Sequence, residues 1–168
     1  MEERQQNDVN EFNRLYKEMD DLYHDIALKL GLSDSALTIF YAICELGDGC
    51  LQKDICGQSF CSKQTINSAI KTLTARGFAT LEFAEGSRKN KVVSLTEEGR
   101  RFAERYALPA LKAEHRAFGA LEPCEQREIM RLIGKFSQVL GEECEAFKQH
   151  IAAESQAENQ GEGESCDC

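Results

Sequence analysis

Residues 62–99 read SKQTINSAIKTLTARGFATLEFAEGSRKNKVVSLTEEG, and the fold is decided there. Ile66, Ala69, Ile70 and Leu73 recur at i, i+3, i+4 and i+7, the spacing of one buried helix face. Ser62 suits the N-cap of that helix, which runs to Arg76, and Gly77 suits the C′ position. Two runs of alternating residues follow, Phe78 to Phe83 and Lys91 to Leu95, and they predict two short strands. Their link, residues 84–90, is polar and holds Gly86, Arg88 and Lys89. Thr96-Glu97-Glu98-Gly99 then opens another helix.

The outer face of the helix carries the chemistry. It offers Lys63, Gln64, Asn67, Ser68 and Lys71, with Ser62 and Thr65 at its start. Between Ser62 and Arg76 there is no carboxylate, whereas a merely solvated amphipathic helix ordinarily mixes Glu or Asp into that face. Gln and Asn can pair bidentately with adenine, Lys reaches guanine, and Ser and Thr hold phosphate. The helix N-terminus adds its own amides. Arg88, Lys89 and Lys91 around the hairpin tip suit a narrow groove or flanking phosphates. A donor-rich helix followed by a basic hairpin predicts a winged helix-turn-helix.

Working outward, Val9, Phe12, Leu15, Tyr16, Met19, Leu22, Tyr23, Ile26 and Leu30 step by threes and fours along a long first helix. Asn7 or Asp8 would cap it and Gly31 would end it. A largely apolar helix starts at Ser33 and stops at Gly47-Asp48-Gly49, and a short helix covers Gln52 to Cys56. Beyond residue 99 a helix runs to about Phe118, with Pro109 expected to kink or interrupt it. A last helix opens at Glu122-Pro123. Its apolar positions Ile129, Ile133, Phe136, Leu140, Cys144, Phe147 and Ile151 form a near-heptad stripe. Residues 154–168 are acidic and poor in apolar side chains, which predicts a flexible tail. The expected organisation is thus mainly α: residues 1–32 and 100–153 as dimerisation helices, 33–99 as the winged region with a two-stranded β wing, and 154–168 as the tail.

Composition limits the alternatives. The chain has 168 residues, 42% of them hydrophobic, and a net charge of -9. The charge is uneven: residues 51–100 carry a net +3, while the segments on either side are negative. A local basic patch, rather than the total, decides whether a surface can meet phosphate. No apolar run reaches the ~20 residues of a membrane span. The first residues lack the apolar core of a secretion signal, so the expected compartment is the cytoplasm. Eight cysteines contain no C-x-x-C pair, so neither a zinc knuckle nor a disulfide framework is expected. No phosphate loop, nucleophile elbow or HExxH helix is present, and the reading is of a protein that is not an enzyme and needs no cofactor.

The order of elements, and the run QKDICGQSFCSKQTINSAIKTLTARGF…SRKNKVVSLTEEG, resemble the MarR family of bacterial transcription regulators over residues 9–150. The family's wing commonly ends in D-x-R-x-x-x-V-x-L-T-x-x-G. Val93, Leu95, Thr96 and Gly99 match it; Ser87 stands at the Asp position and Lys89 at the Arg position. The resemblance implies a homodimer with interlocked first and last helices, bound to a pseudo-palindromic operator in double-stranded DNA and acting as a repressor. It places Ser62, Lys63, Gln64, Thr65, Asn67, Ser68 and Lys71 on the recognition helix. It also implies a small phenolic or lipophilic effector, for which Phe12, Tyr16, Tyr41, Cys44 and Phe60 are candidate lining residues.

Two other signals are open at this level. Cys61 precedes the recognition helix and Cys56 sits on its neighbour, so a thiol-reactive signal could act there. His24, His115 and the C-x-C at residues 166–168 are the only hints of a metal-responsive regulator, and their spacing matches no common site. A winged-helix module that binds protein instead of DNA is the rival from another class.

Overall fold

A computed structural model describes residues 2–59 and 61–161. The chain divides into two compact units, one up to Glu114 and one from His115. The first holds α1 (Glu2–Lys29), α2 (Asp34–Leu46), β1 (Cys50–Leu51), α3 (Gln52–Gln58), α4 (Lys63–Ala75), β2 (Ala79–Phe83), β3 (Lys91–Leu95) and α5 (Glu97–Phe102). A π-helical turn, Ala103–Ala107, leads into α6 (Leu108–Gly119), which crosses the division. The second unit holds α7 (Pro123–Gly161).

The core of the first unit is built on α2 and α4. Leu37, Ile39, Phe40 and Ile43 from α2 meet Ile66, Ile70 and Leu73 from α4, with Ile55 and Val93 closing the floor. Each such burial stabilises by about 1.5–3 kcal/mol. Phe40, Phe78 and Phe102 stack as an aromatic cluster with centroids 4.9–6.0 Å apart. The helix boundaries follow side-chain chemistry. Ser33 and Ser62 cap α2 and α4, accepting from the amides of Ala36 and Thr65. At the end of α4 the Gly77 amide bonds Thr74 O and the Phe78 amide bonds Leu73 O. That pair is a Schellman motif, and it needs the φ of +76° that Gly77 supplies.

Several expectations change. The expected two-stranded wing, β2–β3, is present, and a third short strand that was not expected joins its sheet in the order β1-β3-β2: Cys50 pairs with Val93 and Leu51 with Val92. A two-residue strand is too short to show alternation in sequence. α1 begins at Glu2, so Asn7 and Asp8 lie inside it rather than capping it. Exposed pairs along its polar face, Gln6 with Asn10, Arg14 with Glu11 and Glu18, and Lys17 with Asp21, support the early turns. Pro109 does not interrupt its helix. The turn before it widens instead, with the Leu108 amide donating to Ala103 O, five residues back. α7 continues to Gly161, so residues 154–161 are helical where a flexible tail was expected. Ala and Glu there are good helix formers, and a low apolar content limits burial, not helicity. Cys166, Cys168 and the rest of 162–168 lie outside the described residues. Among the described residues no single helix is long and apolar enough to cross a membrane.

Candidate nucleic-acid interface

The side chain of Ser62 fixes the start of α4. Its hydroxyl accepts from the Thr65 amide at 3.1 Å and pairs with the Thr65 hydroxyl at 2.8 Å. Both hydroxyls are therefore engaged in the cap before any ligand arrives. Lys63, Gln64, Ser68 and Lys71 project exposed side chains from the face opposite Ile66, Ile70 and Leu73. Asn67 is placed differently: it is half-buried, and its side-chain oxygen accepts from the Gln52 amide of α3. Asn67 thus ties α4 to α3 while its amide N–H donors stay available to a ligand. Gln52 carried no sequence signal, because contacts between two short helices are not periodic.

The wing tip is organised by Ser87. Its hydroxyl accepts from the amides of Lys89, at 3.2 Å, and Asn90, at 2.9 Å, while its own amide donates to Ala84 O. A serine hydroxyl here folds the loop onto itself without a charge. Arg88 and Lys89 stay exposed at the tip. Lys91 is half-buried, its ammonium 5.4 Å from the centroid of the exposed Phe83 ring.

A latch holds the wing to the helical body. Asp48, between two glycines of positive φ, accepts from the Leu95 amide at 2.7 Å and from Arg100 at 3.0 Å. Arg100 also donates to Leu95 O at 2.8 Å. Sequence reading took Asp48 only as part of a helix stop; an acid between two glycines was the available signal.

A cavity of about 350 Å³ opens among α1, α2, the end of α3 and α6. Of the candidate effector residues that are described, only Tyr41 lines it. Phe12 and Tyr16 are exposed on α1, Cys44 packs against the core, and Phe60 lies outside the described residues. The walls that sequence reading missed include Tyr23, His24 and Glu114. Cys61 is on the wall as well, and Cys56 is half-buried on α3. All the described cysteines are free. Burial pushes the thiols of Cys44 and Cys50 up, away from thiolate chemistry. Among the described residues no group of three or more His, Cys, Asp or Glu side chains forms a metal site. The His24 imidazole instead meets Asp34 at 3.0 Å.

Residues 30–89, which span α2 to the wing tip, match the MarR family model. Over that segment the chain is similar to the MarR family. Solved MarR-type structures extend the likeness of fold well beyond the matched segment. A putative MarR family transcriptional regulator from Listeria monocytogenes, solved with a 26mer DNA, is 17% identical, with a TM-score of 0.62 over 79% of this chain and 87% of that one. BpsR of Bordetella bronchiseptica, whose DNA binding is regulated by 6-hydroxynicotinic acid, is 22% identical, with a TM-score of 0.60 over 77% and 91%. CouR of Rhodococcus jostii, bound to p-coumaroyl-CoA, is 20% identical, with a TM-score of 0.60 over 74% and 87%. Among curated proteins no sequence match is found. The likeness is one of fold, in which α2–α4 are followed by the β2–β3 hairpin.

Proposed function

We propose that this protein is a sequence-specific, double-stranded DNA-binding transcription regulator of the cytoplasm that works as a homodimer. In this reading it represses by occupying a pseudo-palindromic operator and responds to a small molecule. The observation that carries the reading is the carboxylate-free outer face of α4, with Lys63, Gln64, Ser68 and Lys71 exposed together. Gln64 is the base reader, because it alone among these has both a donor and an acceptor on a planar amide. Lys63, Lys71, Arg88 and Lys89 neutralise phosphate. Dimerisation is supported by apolar side chains left on the surface. Phe12, Leu15, Tyr16 and Met19 are exposed on α1, and Ile133, Phe136 and Leu140 on α7, more than a soluble monomer ordinarily presents.

Titration of the full chain against duplexes selected from random DNA tests this. Gln64→Ala is expected to cost about 1–3 kcal/mol on the selected operator and far less on scrambled DNA. Lys71→Ala is expected to weaken both duplexes alike and to reduce the salt slope by about one unit. Equal weakening of both duplexes by Gln64→Ala would remove base reading from this helix. A chain whose binding partner is a protein would show no salt-dependent duplex binding at all.

A further inference from the structure

The cavity among α1, α2 and α6 has a composition that narrows its ligand. Two of its walls are the rings of Tyr23 and Tyr41, with centroids 6.3 Å apart and planes at 73°, so they meet as a corner. Its apolar lining comes from Leu37, Ala42 and Leu111. Its charged lining is Asp20, Asp34, Glu45 and Glu114, and among the described lining residues there is no lysine or arginine. His24 meets Asp34 at 3.0 Å, and Asp20 and Glu114 still add two carboxylates to the walls. The Tyr41 hydroxyl is buried there without a hydrogen-bond partner among the described residues. The volume, about 350 Å³, falls in the ~300–1,000 Å³ range of small-molecule sites.

We propose that this cavity binds a lipophilic organic cation, such as a quaternary ammonium or phosphonium ion, and that occupancy is passed to α4 through Gln58 and Cys61. Aromatic faces backed by carboxylates are what a poorly hydrated cation needs, since ring quadrupole and charge attract it together. An anion such as a phenolic carboxylate would meet repulsion from the same walls. A bare metal ion finds no cluster of ligands among the described residues. The negative field is also felt by Tyr23, whose phenol is pushed up to about 12 by burial and by its hydrogen bond to Glu114. The route to DNA is short. Gln58 ends α3, Cys61 precedes the N-cap of α4, and both line the cavity. The coupling to DNA rests on the function proposed above; the binding of the cation does not.

The experiment uses two ions of the same shape and opposite charge, tetraphenylphosphonium and tetraphenylborate. Equilibrium dialysis of the full chain, without DNA and in a sodium buffer, measures both. The phosphonium is expected to saturate at one per chain and to bind at least about tenfold more tightly than the borate. Glu114→Gln, which can still accept from Tyr23, and Asp20→Asn should each weaken the phosphonium by about five- to tenfold. Glu128→Gln, on α7, removes an equal charge elsewhere and should leave it unchanged. Equal binding of the two ions, no binding of the phosphonium, or the same loss in Glu128→Gln as in Glu114→Gln would overturn the site. A second titration, of operator DNA with and without the phosphonium, reads the coupling. A several-fold change in DNA affinity that Glu114→Gln abolishes supports it, and an unchanged affinity with the cavity filled refutes it. A chain that takes up the cation but binds no duplex leaves the site standing and removes the regulator reading, together with the coupling.

Discussion

Replacing Gly99 by alanine should destabilise the protein, although the same change in an open helix stabilises. Gly99 lies in the first turn of α5, where alanine is worth about 1 kcal/mol more than glycine on propensity alone. Packing reverses the sign. A Cβ on Gly99 would sit 1.9 Å from the Phe78 carbonyl oxygen, 2.9 Å from its carbon and 3.3 Å from a Leu95 methyl. Real Cβ atoms essentially never come within 3.0 Å of such an atom, so the backbone must give by 3.0 − 1.9 = 1.1 Å or more. The Phe78 oxygen is not free to move, because it accepts from the Thr96 amide at 3.0 Å. Thr96 in turn donates from its hydroxyl to Gly77 O and accepts from the Gly99 amide. Overpacking of this kind costs about 1–3 kcal/mol. Loss of one or two of these hydrogen bonds adds about 1 kcal/mol each. After the propensity gain the net is about 1–4 kcal/mol of lost stability. For a chain of this size that lowers Tm by roughly 2–16 °C, which a thermal melt followed by circular dichroism resolves. A Tm equal to or above the parent would refute the close approach of α5 to the wing.

Asp48→Ala should cost about 2 kcal/mol, read as a lower urea midpoint, because the Leu95 amide and Arg100 lose their shared acceptor. Asp48→Asn keeps an acceptor for Leu95 and should cost less. Ser87→Ala should leave global stability nearly unchanged while speeding amide exchange at Lys89 and Asn90, whose acceptor it removes. Tyr23 should ionise only near pH 12, against about 10 for a free tyrosine, as followed by phenolate absorbance. Since folding holds that proton more tightly, the stability it contributes is complete below pH ~10 and is lost as the pH rises toward 12. In sedimentation at micromolar concentration the chain should run as a dimer; a monomer would mean that the exposed faces of α1 and α7 have another use.

The sequence was most legible where one side chain decides one backbone feature. Ser33, Ser62 and Thr96 accept amides as N-caps, and Gly31 and Gly77 take the positive φ expected at helix ends. The buried face of α4 follows from apolar spacing, because that helix keeps an exposed polar side, while α2 reads as a largely apolar run because none of residues 35–44 is exposed. Legibility failed where two distant segments cooperate. Cys50–Leu51 becomes a strand only because Val92 and Val93 arrive beside it. Propensity in so short a stretch carries no such information.

The cavity shows the same boundary at the level of function. Tyr23 lies on the apolar stripe of α1 with Phe12 and Tyr16, and all three obey one periodicity. Only Tyr23 meets Tyr41, because α1 touches the core near its C-terminal end, where Ala27 is buried and Leu30 packs. Periodicity says which face of a helix is apolar; it does not say where along that face a neighbour begins. The acidic character of the cavity was hidden for a related reason. Asp20 and Asp34 come from the end of α1 and the start of α2, Glu45 from the end of α2, and Glu114 from α6. Each reads singly as an ordinary solvated carboxylate, and in the sequence they are spread over some ninety residues that also hold the basic patch. Charge counted along the chain therefore found the surface suited to phosphate, whose residues are adjacent in sequence, and missed the one suited to a cation, whose residues are adjacent only in space.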